Sequence, residues 1–251
     1  MLETLTHGSV VELRMNRPPA NALSSELIAA LKIGVGEATT SGARAVVISG
    51  RPGMFSAGLD VPALLHLDRD GIRDAWSDFF GLLEAITRSP VPVVAALTGH
   101  APAGGAVISL FCDYRVMAEG SFKVGLNEVE VGVVLPPVLF KALSRQVGPR
   151  HAERLGVAGM LIDAAEAFRI GLVDELAPVD EVIAGALARC QRMLAMPPET
   201  MAATRDVARA DLAGLFDQMT EATLYGVVDN WFTDETQAAL QALVARLAAK
   251  S

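Results

Sequence analysis

The sequence predicts an α/β fold followed by an all-helical C-terminal region, and three observations support this. Strand-like and helix-like segments alternate through the first half of the 251-residue chain, as is typical of parallel βα units. Residues 137–195 are largely helical in pattern, with one short strand candidate at GLVDELAP. From AMPPET onward the pattern is helical only. We therefore place a domain boundary near 196–198, between a core over 1–195 and a helical region over 196–251.

The elements of the first half follow from the spacing of their apolar residues. Residues 9–17 alternate apolar and polar, which is the period of a half-buried strand, and 24–40 have helical spacing that two glycines weaken. The β-branched run at 44–50 predicts a buried strand. Residues 69–88 predict an amphipathic helix stopped by SPVP, and VPVVAALTG predicts another buried strand. A helix that starts at Gly-Gly and a strand from about Asp113 complete the alternation.

Composition narrows the partners and the compartment. Hydrophobic residues make up 51% of the chain and charged residues 20%, which is more apolar surface than a monomer needs to hide, so we expect an oligomer. A net charge of −8 with scattered Lys and Arg argues against nucleic acid as a partner. The sequence has no apolar run of about 18 residues, so membrane insertion is not expected. The start, MLETLTHGSV, matches neither a secretory signal nor a transit peptide, which predicts a cytoplasmic protein.

The motifs of several common sites are missing from the sequence. Cys112 and Cys190 lack CxxC spacing and the four histidines lack ligand spacing, so we expect no metal site, no disulfide and two cysteines in the core. The patterns GxGxxG, GK[ST] and GxSxG are absent as well. The sequence therefore favours neither a nucleotide-phosphate site nor a serine nucleophile of the elbow type.

Three glycine-containing segments stand next to strand ends: FSAGLD at 55–60, PAGGAV at 102–107 and GLNE at 125–128. In parallel α/β sheets ligands lie outside the carboxyl ends of strands, so these loops could converge on one site. Gly-Gly at a helix start exposes backbone N–H groups to a negative oxygen. Glu128 lies in an otherwise apolar stretch and is a candidate general base. The residues alone leave open that the glycines only permit tight turns and that Glu128 is a solvated surface residue.

Taken together, these segments resemble the enoyl-CoA hydratase/isomerase, or crotonase, superfamily over essentially the whole chain. RPGMFSAGLD, APAGG, CDYR and GLNE are most similar to its branch of mitochondrial-type Δ3,Δ2-enoyl-CoA isomerases. The resemblance implies a crotonase-like spiral of ββα units and a C-terminal all-helical oligomerisation region that forms trimers or dimers of trimers. It also implies an acyl-CoA thioester substrate, fatty acid β-oxidation, and no cofactor other than the CoA of the substrate.

The resemblance also implies roles for individual residues. The family's two oxyanion-hole N–H groups correspond to Ala57 and Gly104, and the base of the isomerases corresponds to Glu128. The remaining positions implied to line the substrate site are Ser56, Gly58, Leu59, Asp60, Val61, Gly105, Val107 and Asn127.

The position of Val107 favours one reaction over another. Hydratases of the family carry a second acid there, because adding water requires a group that holds the water and a source of a proton. Moving a double bond needs a single base, so Val107 predicts an isomerase. A hydratase remains open if His66, Asp68 or Asp70 enters the site, as do other reactions of the superfamily and a non-catalytic acyl-CoA-binding protein.

The neighbouring polar residues receive simpler interpretations. Glu130 should point away from Glu128, as a surface or salt-bridged acid, because neither strand nor helix places positions i and i+2 on one face. We expect Asp60 to cap the following segment, His100 to serve packing, and Asn127 either to orient Glu128 or to shape the turn. Candidates for the CoA phosphates, by proximity to the loops, are Arg17, Arg51 and Lys123.

Overall fold

Ten strands and eleven α-helices make up the fold in the computed structural model, which describes residues 1–249. The strands are β1 Leu2–His7, β2 Val10–Met15, β3 Ala45–Ser49, β4 Gly53–Met54, β5 Val93–Leu97, β6 Gly99–Pro102, β7 Tyr114–Ala118, β8 Lys123–Gly125, β9 Ile162–Asp163 and β10 Glu175–Ala177. The helices are α1 Ser25–Thr40, α2 Val61–Leu64, α3 Arg69–Thr87, α4 Gly104–Leu110, α5 Pro137–Val147, α6 Pro149–Ala158, α7 Ala164–Arg169, α8 Val182–Leu194, α9 Pro198–Asp217, α10 Glu221–Trp231 and α11 Asp234–Ala248. A 3-10 helix at Glu128–Val131 stands between β8 and α5.

The larger sheet has six strands in the order β1-β2-β3-β5-β7-β10. Every pair from β2 to β10 is parallel, which confirms the predicted βα architecture, and β3 and β5 are buried along their whole length. The edge strand β1 is antiparallel to β2 and was not predicted. Its residues alternate between half-buried and exposed without a strongly apolar face, so its sequence carried little signal.

The smaller sheet has four short strands in the order β4-β6-β8-β9, all parallel except for the pair β8 and β9. None of these strands was predicted, because strands of two to four residues are too short to show a period. The interpretation of 137–195 as helical with one strand is therefore corrected: β10 was expected, whereas β9 was not. Two of the three glycine-containing segments begin in this sheet, because Pro102 is the last residue of β6 and Gly125 the last residue of β8.

The C-terminal region consists of α9, α10 and α11, as its helical pattern predicted. Helix α9 is fastened to the core by Arg205, whose guanidinium donates to both carboxylate oxygens of Asp113 at 2.7 and 3.0 Å. Arg209, one turn further on, donates to the main-chain carbonyls of Phe111 and Cys112 at 2.6 and 3.3 Å. Both arginines are buried, so the region predicted to serve oligomerisation is also part of this chain's own core.

The predicted starts of two helices and the predicted burial of both cysteines are confirmed. Helices α1 and α3 begin one residue after their N-caps Ser24 and Asp68, within the predicted ranges. Cys112 and Cys190 are buried free thiols packed in the core. No helix among residues 1–249 is long and apolar enough to cross a membrane.

Candidate active site

The structure brings the three glycine-containing segments together. A Cβ built on Gly58 would lie 3.0 Å from the nitrogen of Gly104, and one on Gly105 would lie 2.6 Å from the carbonyl oxygen of Ser56. The N–H of Ala103 donates to the carbonyl of Gly125 at 2.8 Å, three residues before Glu128. Only glycine allows such close approach of the backbones. The predicted convergence of the segments is confirmed.

One of the two predicted oxyanion donors is wrong. The N–H of Ala57 donates to the carbonyl of Ala20 at 3.0 Å, so it is not free to meet a ligand. Two residues on, the N–H of Leu59 donates to no residue of the described chain, and neither does that of Gly104. The Leu59 nitrogen is 3.4 Å from the position that a Cβ on Gly104 would occupy. Leu59 and Gly104 therefore lie on facing backbones, each with an N–H that has no acceptor in the described chain.

Motif alignment could not separate Ala57 from Leu59, because both flank the same glycine. The deciding feature is the parallel bridge between Leu23 and Leu59, in which Leu23 donates to Gly58 and accepts from Asp60. This pairing uses the groups on either side of the Leu59 N–H and leaves that N–H unpaired. Such a contact between distant segments has no local sequence signal.

Glu128 begins the 3-10 helix, and its carboxylate is incompletely hydrogen-bonded. The oxygen Oε2 is buried with no hydrogen-bond partner among the described residues, although the residue as a whole is only half-buried. Burial raises the pKa of Glu128 from 4.5 to about 7, opposed by a bond from its own backbone N–H, and no other charged side chain contributes. A carboxylate of this kind can accept and return a proton near neutral pH.

Of the two roles that the sequence left open for Asn127, its contacts favour shaping the turn. Its Nδ2 donates to Oε2 of Glu130 at 3.0 Å, and its carbonyl accepts the N–H of Glu130 at the same distance. Glu130 is exposed and takes part in no ion pair among the described residues, so it is the surface acid that was expected. The amide oxygen Oδ1 of Asn127 is buried without a partner in the described chain.

The position that carries the second acid in hydratases holds a fully buried valine, Val107 on α4. The three residues that could have supplied a substitute are all exposed, whereas Oε2 of Glu128 is buried. Asp68 is exposed and caps α3 through Gly71 at 2.9 Å, Asp70 is exposed beside Arg73, and His66 is exposed. None of them perturbs the pKa of Glu128.

Two polar residues of the first loop hold its shape. Asp60 accepts the N–H of Ala63, which caps α2 as predicted, and its other oxygen forms an ion pair with Arg17 at 2.5 Å. Ser56 is fully buried, donates to the carbonyl of Asn21 at 2.8 Å and accepts the N–H of Gly58 at 3.2 Å. Their side chains are therefore committed to the loop, while Leu59 and Val61 pack against the core.

The three basic residues that are candidates for binding the CoA phosphates differ in how accessible their side chains are to a ligand. Arg17 is held by Asp60 and by the carbonyl of Ala22, so its guanidinium is part of the loop. Arg51 is half-buried at the bridge to Met54. Lys123 is 45% exposed and its ammonium is 4.0 Å from Asp163, which leaves it accessible to a ligand.

His100 has the packing role that we expected. Its Nδ1 accepts the N–H of Lys123 at 3.1 Å, and its ring meets that of Phe122 edge to face with centroids 5.2 Å apart. It thus joins β6 to β8 behind the glycine-containing loops.

The C-terminal helices contact the segment that carries Glu128, which sequence analysis missed. The carbonyl of Gly132 accepts from Thr236 Oγ1 at 2.7 Å and from Asn230 Nδ2 at 3.2 Å. Asn230 also accepts the N–H of Val134 at 2.8 Å. The only local signal was the capping pattern at the start of α11, which indicates a helix start but not what its residues touch.

Comparisons with known proteins find similarity to both enoyl-CoA isomerases and enoyl-CoA hydratases. A family model described as enoyl-CoA hydratase/isomerase matches residues 6–247. The human protein named enoyl-CoA delta isomerase 1, mitochondrial, is 30% identical over 250 residues, which cover 98% of this chain and 83% of the relative. A probable enoyl-CoA hydratase of Mycobacterium tuberculosis is 32% identical over 197 residues, which cover 77% of this chain and 74% of the relative. The crystal structure of human mitochondrial delta3-delta2-enoyl-CoA isomerase superposes with a TM-score of 0.95 at 29% identity, covering 100% of this chain and 99% of that one.

Proposed function

Because the chain belongs to the enoyl-CoA hydratase/isomerase family, whose members bind acyl-CoA substrates, we propose that it is a Δ3,Δ2-enoyl-CoA isomerase. In the proposed reaction the double bond of a 3-enoyl-CoA moves to give the trans-2-enoyl-CoA of fatty acid β-oxidation. The observation that carries the proposal is a single buried carboxylate, Glu128, with one unpartnered oxygen and no second acid beside it.

The reaction consists of two proton transfers at one base. The carboxylate of Glu128 takes a proton from C2 of the substrate, and the electron pair of the broken C–H bond delocalises into a dienolate whose charge rests on the thioester oxygen. The protonated Glu128 then returns its proton to C4, which forms the C2–C3 double bond and regenerates the carboxylate. No metal or redox cofactor enters these steps, so we propose that none is required.

The free N–H groups of Leu59 and Gly104 would bind the thioester oxygen while it carries the dienolate charge. Donors that are fixed before the reaction stabilise such charge without reorganisation, and losing one typically costs about 3 kcal/mol of barrier. The remaining residues of the loops hold these two donors in position. Ser56 and Asp60 hold the first loop, and the glycines at 58 and 105 allow it to approach α4.

Hydration of a 2-enoyl-CoA is the second candidate function, and the similarity to the probable mycobacterial hydratase favours it. The buried Val107 counts against it, since a valine at this position of α4, where the family resemblance implies a second acid in hydratases, cannot hold and deprotonate a water. An apolar wall also protects the dienolate from water. A binding protein without turnover is a third candidate, and it predicts tight acyl-CoA binding that replacement of Glu128 does not change.

The test compares the wild-type protein with Glu128→Gln, using a 3-enoyl-CoA and a 2-enoyl-CoA followed by the absorbance of the conjugated thioester. The wild type should convert the 3-enoyl substrate and hydrate the 2-enoyl substrate poorly. Removal of a general base costs about 10²- to 10⁴-fold, so Glu128→Gln should lose isomerisation by that factor. Glu130→Gln is the matched control and should retain it, because Glu130 is exposed.

Two outcomes would decide against the isomerase. Efficient hydration by the wild type would require a second acid that the argument from Val107 denies. Binding of both thioesters with no reaction of either would favour the protein without turnover.

We also propose that the protein is a homo-oligomer, either a trimer or a dimer of trimers. Large apolar side chains stand in solvent on this chain, among them Val207, Val157 and Val134, which are 80%, 71% and 66% exposed. Light scattering on the eluting protein should give three or six times the chain mass of 26.4 kDa. A single-chain mass at micromolar concentration would refute the proposal.

A further inference from the structure

The C-terminal helices are hydrogen-bonded to the peptide group that joins Gly132 to Val133, directly after the 3-10 helix that begins at Glu128. Its carbonyl accepts from Thr236 and Asn230, at 2.7 and 3.2 Å. Its N–H donates to the main-chain carbonyl of Glu128 at 3.1 Å. A peptide group is planar and rigid, so a force on one end is transmitted to the other.

We propose that Thr236 and Asn230 are positioning residues for the proposed base: through this peptide group they hold the backbone of Glu128 at the distance that proton transfer requires. The inference rests on the proposed isomerase function. It assigns the start of α11 and the end of α10 to the active site, in addition to any part they play between subunits.

The hydrogen bonds to this peptide group belong to a connected network around the buried hydroxyl of Thr236. Thr236 is completely buried, and its Oγ1 also accepts from Thr233 at 2.9 Å and from Asn230 at 3.3 Å. Asn230 is itself fixed, since its Oδ1 accepts the N–H of Val134 at 2.8 Å. Buried networks in which every member is bonded hold a single geometry, because any displacement leaves a polar group unpaired.

The close packing at Gly132 supports the same conclusion. Its φ of +72° is left-handed, and a Cβ built on it would lie 2.9 Å from the Cα of Thr236. The start of α11 thus touches the main chain at the residue that ends the 3-10 helix, with no side chain between them. The position of the segment that carries Glu128 is fixed by direct backbone contact as well as by hydrogen bonds.

The charged groups of the packed elements leave the base undisturbed. On its own segment Glu130 is exposed, on α6 Arg154 pairs with Glu166 at 3.1 Å, and on α11 Asp234 and Glu235 are exposed. None of them shifts the pKa of Glu128, which is set by burial. A change in that pKa after mutation of Thr236 would therefore report a change in the position or solvation of Glu128.

The variants are Thr236→Val, which keeps the shape and removes the hydroxyl, Asn230→Ala, and Thr236→Ser, which restores the hydroxyl. Thr220→Val is the matched control, because Thr220 caps α10 in the same way and does not contact the segment. For each variant, kcat, KM and the pH profile of kcat for the 3-enoyl-CoA are measured, together with the melting temperature.

We expect Thr236→Val and Asn230→Ala to lower kcat by about 10- to 100-fold, because small displacements of a reacting group have effects of this size. The KM should change little, and the midpoint of the pH profile should fall as Glu128 gains solvent. Thr236→Ser should recover most of kcat, and Thr220→Val should lose melting temperature only. If the first two variants lose melting temperature but keep kcat and the midpoint, the helices are structural and the proposal is wrong.

Inactivity of the wild type would reject the isomerase function but leave the positioning testable. Carbon-13 spectra of glutamate-labelled protein, with Glu128→Gln to assign the signal, report the titration of Glu128 without turnover. A lower pKa in Thr236→Val than in the wild type would support the positioning role. An unchanged pKa would overturn it.

Discussion

Gly58 and Gly104 meet backbone to backbone, so closely that a Cβ on Gly58 would lie 3.0 Å from the nitrogen of Gly104 and 2.9 Å from the Cβ of Ala103. The two residues belong to loops that follow different strands, and the contact sets the separation of the two free N–H groups. The proposed oxyanion site therefore depends on a glycine that contributes no donor of its own.

Replacing Gly58 by alanine should separate the two donors. We expect Gly58→Ala to lower kcat by about 100-fold or more, the effect of losing one oxyanion donor, with a smaller loss of stability from its φ of +87°. Steady-state kinetics and thermal unfolding measure the two effects. Gly8→Ala is the control, because Gly8 also has a positive φ, +64°, but has no atom near its Cβ position. Equal kinetics in the two variants would contradict the proposed site.

The pH dependence of catalysis should follow the raised pKa of Glu128. The reaction begins with the carboxylate, so kcat should be low in acid, rise through pH about 7 and level off above it. A pH–rate profile of the wild type measures this. A midpoint near the ordinary value of 4.5 would show that the base is solvated in the working enzyme.

The same burial should make Glu128 costly for stability. Its folded pKa, about 7, lies above the ordinary 4.5, so the folded state binds the proton more tightly and stability falls as pH rises from 4.5 to 7. Above that window the ionised group costs about 3 kcal/mol, at roughly 1.4 kcal/mol for each pKa unit. Glu128→Gln should therefore melt several degrees higher than the wild type at pH 8, and the gap should shrink toward pH 5. A gap independent of pH would be inconsistent with a buried, ionised Glu128.

The junction between α9 and the core should depend on Asp113. Its carboxylate accepts from Arg205 and from the N–H of Val93 at 2.8 Å, and Arg209 lies 3.3 Å away. Asp113→Ala leaves two buried guanidinium groups without their anion, so we expect a loss of about 3 to 5 kcal/mol, measured by denaturant unfolding. Asp74→Ala removes an ion pair whose carboxylate is 68% exposed and should cost less than about 1 kcal/mol. Similar losses in the two variants would refute this account.

Sequence reasoning was most successful where the signal was local and periodic. The buried runs of β3 and β5, the N-caps of α1 and α3 and the glycine start of α4 are visible in their own residues. The motifs around Glu128 and Gly104 pointed to the segments that the fold brings together.

The errors concern contacts between distant segments. The sequence does not distinguish Ala57 from Leu59. The hydrogen bond from Ala57 to Ala20 and the pairing of Leu59 with Leu23 together show which N–H is free. The interaction of Thr236 with Gly132 is equally invisible, because neither residue belongs to a pattern that includes the other. Strands of two residues, such as β4 and β9, are too short to show a period and are defined only by their pairing with a neighbouring strand.

The hydrogen bond from Thr236 to Gly132 also bears on the order in which the molecule is assembled. It joins residues 104 positions apart, whereas Gly58 and Gly104 are separated by fewer than half as many. A ribosome synthesises the chain from its N-terminus, so Thr236 emerges long after Gly104, and contacts between residues distant in sequence form slowly. The contact between Gly58 and Gly104, which sets the two N–H donors, can thus form during translation. The contact that positions Glu128 requires Thr236 and therefore almost the entire polypeptide. If Thr236 positions Glu128 as proposed, a truncated chain that lacks its final helix would bind a thioester without converting it.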